Sequence, residues 1–372
     1  MGRGAGESLE RRSRDGAVVN GALVDGIVKA VLYEGYMLYP YRPSSVKNQQ
    51  RFNFGVVYPR AYSEAQHGAD AWTMQTECLV KGGGDAHCMV RVRFLRMVAR
   101  SIGRPLIPVT DLSSLSEENI EKVERLEIGD KVLRVWQEAV EEVIEVAKFN
   151  LPALASQSMQ WSFRVSPKRE REAVRNDDGL IVGVIQRDKN ALSGTIDLAA
   201  ERVAPELFKL TIHISNASQI DGDGPINREN ALAHALVSTH TILEVRGGEF
   251  VSLIDPPDAY RDFVASCQNV GTWPVLVGTP GERDTMLSSP IILYDYPEIA
   301  PESPGDLFDG AEIDEILSLR IMTMTEDEKR EMRESDDRTR QILERTESMP
   351  DEQFMKLHGA LRGLQSVKGE AP

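Results

Sequence analysis

Between Leu207 and Ser215 the chain alternates without a break: Phe208, Leu210, Ile212 and Ile214 on one parity, Lys209, Thr211, His213 and Ser215 on the other. Successive side chains of a strand point to opposite faces, so this pattern specifies a β-strand with one face in a core and one in water. Met159–Val165, Leu180–Arg187 and Ala191–Ala199 read as further strands, and the apolar runs Val275–Val277 and Ile291–Tyr294 as short buried ones. Residues 151–295 are therefore expected to form an antiparallel, β-sandwich-like domain. Within it Asn227 can cap a short helix through Ala231–Val237.

Residues 25–150 read as a mixed β/α lobe. Trp72–Val80 and His87–Phe94 are β-rich, and Gly82-Gly83-Gly84-Asp85 between them predicts a hairpin loop. From Ser116 to Ala147 the period turns helical: Val132, Val135, Trp136, Val140, Val143 and Ile144 recur at three- and four-residue spacing, an amphipathic helix closing the lobe. Residues 1–24, rich in Gly, Arg, Ser and Glu, read as a disordered tail. Residues 296–324 read as an acidic, proline-punctuated connector and 325–366 as C-terminal helices. Thr325 and Glu328 have the spacing of a capping box, and Pro350 sits where a last helix could begin. The fold class expected from all of this is α+β.

The formal charge of −15 and a pI near 5.0 disfavour nucleic acid and anionic lipid as partners, because an acidic surface repels phosphate. No apolar run is long enough for a membrane span. Three cysteines, Cys78, Cys88 and Cys267, are too few and odd in number for a disulfide framework and fit a reducing cytoplasm. The glycine run lacks the lysine and the following helix of a phosphate cradle and reads as a plain turn. No spacing points to a catalytic triad, a zinc-hydrolase helix or a nucleophile elbow, so no catalytic residue and no resident cofactor are expected.

Three constellations remain. If the hairpin centres on Gly83, Cys78 and Cys88 face each other, and two thiolates so placed could hold a soft transition metal with Cys267 or a histidine completing the set. The alternative is a pair of buried free thiols, since free cysteine is among the most buried residue types. The segment from Tyr33 through Tyr36 and Tyr39 to Arg42 interleaves aromatics with bases, which suits a packed or interface surface. Between Ile291 and Leu319 stand eight acids (Asp295, Glu298, Glu302, Asp306, Asp309, Glu312, Asp314 and Glu315) and no base. Pro297, Pro301 and Pro304 favour an extended segment that loses little freedom on docking a basic partner; its alternative is a solvated connector. The six histidines read singly as surface or satisfied structural residues.

Several blocks carry a resemblance. Tyr33-Glu34-Gly35-Tyr36, Tyr39-Pro40-Tyr41-Arg42, Arg51-Phe52-Asn53-Phe54-Gly55, Met74-Gln75-Thr76-Glu77-Cys78, the run Gly248–Pro257, and Trp273–Gly278 followed by Ser289–Pro297 are such blocks. In these the chain resembles a bacterial accessory-protein family encoded beside high-affinity, oxygen-tolerant nickel–iron uptake hydrogenases. The resemblance implies a non-enzymatic role in hydrogenase assembly or maturation, with a hydrogenase subunit or maturation protein as partner. It supplies no catalytic residue. Two alternatives stay open: metal handling through Cys78 and Cys88, and a structural subunit of the finished complex.

Overall fold

One strand organises the molecule. In the computed structural model, which describes residues 24–29, 31–32, 54–129, 131–220, 227–298, 321–333, 337–348 and 350, β1 runs for 33 residues from Thr73 to Pro105. It is bonded antiparallel to five other strands. They are β2 (Ile120–Val123), β5 (Trp136–Asn150), β8 (Ile181–Lys189), β10 (Leu207–Asn216) and β11 (Val237–Phe250). Val80 and Lys81 pair with both β10 and β11, so these two lie on opposite edges of β1. The same test puts β5 opposite β11, and β8 opposite both β5 and β2.

Outward from β1 the sheet continues through β10 to β9 (Leu192–Ala204) and β6 (Met159–Val165), and through β11 to β13 (Thr285–Ser289) and β12 (Trp273–Leu276). β7 (Lys168–Arg175) pairs with β8, and β3 (Arg125–Ile128) with β4 (Lys131–Arg134) makes a separate two-stranded sheet. The principal sheet has eleven strands among the described residues. The expected α+β class is thereby corrected: the described chain is mostly antiparallel β with few, short helices. The boundary expected at 150/151 falls between β5 and the short helix Leu151–Ser156, and hydrogen-bonded strands of one sheet lie on both sides of it.

Two expectations for the first lobe fail for identifiable reasons. No hairpin forms at Gly82–Asp85. β1 continues through the glycines, advancing five residues from Gly82 to His87 while β11 advances two, from Gly248 to Gly247's far side at Arg246. The surplus is taken up as a bulge, which bends a strand without reversing it. The expected amphipathic helix over 116–147 is replaced by β2 to β5. Its valines are β-branched and favour strand, and the glutamates that break the two-residue period are matched by arginines of β1.

The sheet curls instead of stacking as a sandwich. Phe94, midway along β1, reaches Phe163 of β6, three strands away, with ring centroids 6.4 Å apart. The concave side encloses the main core: Val90, Val92 and Phe94 of β1, Leu210 and Ile212 of β10, Ile196 and Leu198 of β9, and Leu243 and Val245 of β11. The alternation at 207–215 is found as read, with Phe208, Leu210, Ile212 and Ile214 buried and their neighbours half-exposed. On the convex side, helical residues 24–29 and 31–32, hereafter the N-terminal helix 24–32, lay Val24, Ile27, Val28 and Val31 on Ile242, Val275 and Leu287.

Asn227 caps a helix, Arg228–Leu232, its side chain accepting from the Asn230 amide. The helical C-terminal segment reduces, among the described residues, to Glu326–Arg333 and Asp337–Glu347. The first begins on the expected box: the Thr325 amide donates to Glu328, and the Glu328 amide to Thr325 Oγ1 at 3.3 Å.

Candidate functional site

The two cysteines expected to face each other across a hairpin lie ten positions apart on one strand. Cys78 stands opposite Leu210 of β10, whereas Cys88 stands opposite Val245 of β11 and Phe149 of β5. Both thiols point into the concave core and are essentially unexposed. Burial in apolar surroundings drives the Cys78 thiol well above the usual range, and Cys267, Cys88 and Glu77 add to the effect. Burial alone pushes Cys88 up to about 12. Among the described residues no three His, Cys, Asp or Glu side chains gather as a metal site. The geometry is that of buried free thiols.

A reactivity experiment follows. Burial keeps the thiols of Cys78 and Cys88 protonated near pH 7 and, less strongly, that of Cys267, which also has access to solvent. Half-buried Cys267 is therefore the first to be alkylated in the native protein, with Cys78 and Cys88 modified only on the unfolding timescale. Peptide mapping after brief maleimide treatment checks this order; rapid modification of Cys78 or Cys88 contradicts it.

The acidic stretch begins in a segment that is held rigidly. Asp295 is used internally: its Oδ1 accepts from the Leu276 amide at 2.8 Å and its Oδ2 from Ser252 Oγ at 2.5 Å. Ser252 Oγ also accepts from the amides of Ile254 and Asp255, so a single carboxylate ties the 252–255 turn to β12. Tyr296 adds two anchors, donating its amide to the Leu276 carbonyl at 2.7 Å and its hydroxyl to the Glu282 carbonyl at 2.8 Å. It holds a left-handed φ of 54°, uncommon for a residue other than glycine.

Just before these anchors the residues alternate. Ile291 and Leu293 pack inward beneath the helix 24–32, while Ile292 and Tyr294 point outward, 72% and 83% exposed. Ile254, on the tied turn, and Trp273, at the start of β12, are also large exposed apolar residues. Glu298 is exposed two residues beyond Tyr296. The whole is a fixed loop presenting apolar side chains at the root of an acidic run. Tyr33, Tyr36, Tyr39 and Arg42, and likewise Glu302, Asp306, Asp309 and Glu312, lie outside the described residues.

One polar cluster escaped the sequence reading. His240 of β11 is fully buried, with Nδ1 2.7 Å from the Ser238 carbonyl and Nε2 3.2 Å from Ser289 Oγ. The carbonyl can only accept, so Nδ1 carries the proton and Nε2 accepts from Ser289. Burial lowers the His240 pKa to about 4; the bond to Ser238 opposes this and the Arg93 charge adds to it. Arg93, the cross-strand neighbour of His240, is itself buried and donates to Glu141 of β5 at 2.7 Å and to Asp25 of the 24–32 helix at 2.8 Å. No spacing rule joins residues 25, 93, 141, 240 and 289; only the strand order does.

No family model matches the chain, and no curated protein matches it.

Proposed function

We propose that this chain is a non-enzymatic accessory protein that works by protein contact, docking a hydrogenase subunit or maturation protein during assembly of a nickel–iron hydrogenase. The hydrogenase context rests on the sequence resemblance. The contact mode rests on one observation: a segment pinned by Asp295 and Tyr296 turns Ile292 and Tyr294 outward, and in the sequence a stretch with acids and no base follows it. Large apolar side chains on a preorganised loop lose little conformational freedom on binding, and tyrosine is enriched among residues that dominate interface energetics. The carboxylates that follow select a partner with a basic surface and raise the association rate.

Pull-down from the native host tests this reading. The tagged protein is expected to retain a hydrogenase subunit or maturation protein. An Ile292→Asp, Tyr294→Asp double variant is expected to bind at least about 30-fold more weakly, the effect of losing one interface hot spot. Retention should also fall as salt rises from about 0.05 to 0.5 M, because screening shortens the Debye length. Undiminished capture by the double variant, or capture of proteins unrelated to hydrogenase assembly, overturns the proposal.

A further inference from the structure

We propose that Arg93 and His240 form an acid-sensitive latch that holds the helix 24–32 on the convex face of the sheet and lets it go when His240 takes up a proton. The latch stands on a buried cluster. Arg93 lies under the helix and bonds Asp25 on it and Glu141 on β5. His240 is the residue directly opposite Arg93 in the β1–β11 ladder, and both of its ring nitrogens are engaged, one by a carbonyl and one by a serine hydroxyl.

A proton on Nε2 changes three things together. It removes the ring acceptor for the Ser289 proton, it turns Ser289 Oγ from donor into acceptor of the new N–H, and it sets an imidazolium beside a guanidinium in a site closed to water. The charged groups around the ring are few. β1 contributes Arg93 and Arg91, the second paired with Glu244 of β11. β5 contributes Glu141, the helix contributes Asp25, its Lys29 being exposed to solvent, and β13 presents Ser289. Both carboxylates that reach Arg93 are already bonded to it, so no acid is left to neutralise the ring. Relief comes from opening the site, and the helix is its movable cover: Asp25 is half-exposed, and the helix is held otherwise by Val24, Ile27, Val28 and Val31 on one cluster and by Leu32 among Tyr58, Tyr62, Leu95 and Met97.

The sign follows from linkage. The closed state holds His240 neutral down to about pH 4, whereas an exposed imidazole titrates near 6.5. The open state therefore binds more protons between those values, and closure weakens as the pH falls through that window. Between pH 8 and pH 5 the open fraction is expected to rise about 30-fold.

Hydrogen exchange of the full chain, corrected for the intrinsic pH dependence of exchange, reads the device directly. Protection of amides in 24–32 is expected to drop about 30-fold from pH 8 to pH 5, with β1 and β11 amides unchanged. His240→Gln is expected to abolish most of that drop. Asp25→Asn, at a half-exposed position that endangers folding less, is expected to lower protection at pH 8 while keeping the pH dependence. A pH-independent helix, the same pH dependence in His240→Gln, full protection in Asp25→Asn, or loss of protection in step throughout the sheet would each overturn the proposal.

Discussion

Replacing Arg96 by alanine is expected to lower the unfolding free energy by about 3–5 kcal/mol, read as a shift of the urea midpoint at unchanged slope. Arg96 is 3% exposed, on the concave side of β1. Its Nε donates to the Asn190 carbonyl at 3.0 Å, and its Nη2 to the carbonyls of Asn190 at 2.6 Å and Ser166 at 2.7 Å. Its Nη1 donates to Glu142 of β5 at 3.0 Å. Ser166 follows β6 and Asn190 follows β8, so one guanidinium joins four parts of the curled sheet. Among the described residues neither β5 nor β6 pairs with a further strand, and this side chain bridges the gap between them. Truncation leaves a carboxylate and several inward carbonyls without a donor. Lysine cannot replace the planar fork and should recover less than half of the loss. A change below about 1 kcal/mol for alanine would show that the seam is held by packing alone.

The second large effect is expected at Gly194, where valine should cost about 3 kcal/mol or more. Gly194 of β9 pairs with Phe163 of β6 on one side and Asn216 of β10 on the other. A Cβ there would lie 2.3 Å from the Ser215 carbonyl oxygen and 2.6 Å from the Phe163 ring. The ring lies across the bare backbone and from there meets Phe94. Any side chain must displace backbone or push the ring out of the core, the upper range of overpacking penalties. Thermal and urea unfolding check it, and a Gly194→Val protein within 1 kcal/mol of wild type would mean that β6 tolerates displacement. Both substitutions probe how β6 is held against the rest of the curled sheet, Arg96 across the β5–β6 gap and Gly194 where Phe163 lies on β9.

How much of this could be read from the sequence varies element by element. β10 was legible because from Phe208 to Ser215 its inner face is all apolar and its outer face all polar. β5 was not, because Glu138 and Glu142 share the parity of the inward Ile144 and Val146, where a half-buried strand would carry apolar residues, and Glu141 stands on the other face. The three are matched by Arg100, Arg96 and Arg93, and a pairwise match between distant strands leaves no local period. Gly82–Asp85 read as a turn since glycine-rich runs usually reverse the chain; here they widen a bulge in a 33-residue strand, a length no local rule anticipates.

The same turn reading puts Cys78 and Cys88 face to face, and the metal alternative for the pair rests on that register; the other alternative, buried free thiols, needs only their burial. At the candidate docking loop the acidic composition was visible. The internal use of Asp295 was not, because the Ser252 hydroxyl and the Leu276 amide reach it only in the folded sheet.

The most direct test of the docking account is site-specific photocrosslinking in the native host, with a photoreactive residue at position 294 and, as control, at Leu106. Leu106 is also an exposed apolar side chain, but it follows the far end of β1. Crosslinks from 294 to a hydrogenase subunit or maturation protein, with none from 106, are the expected result. Equal labelling from both positions, or none from 294 to any such protein, would contradict it.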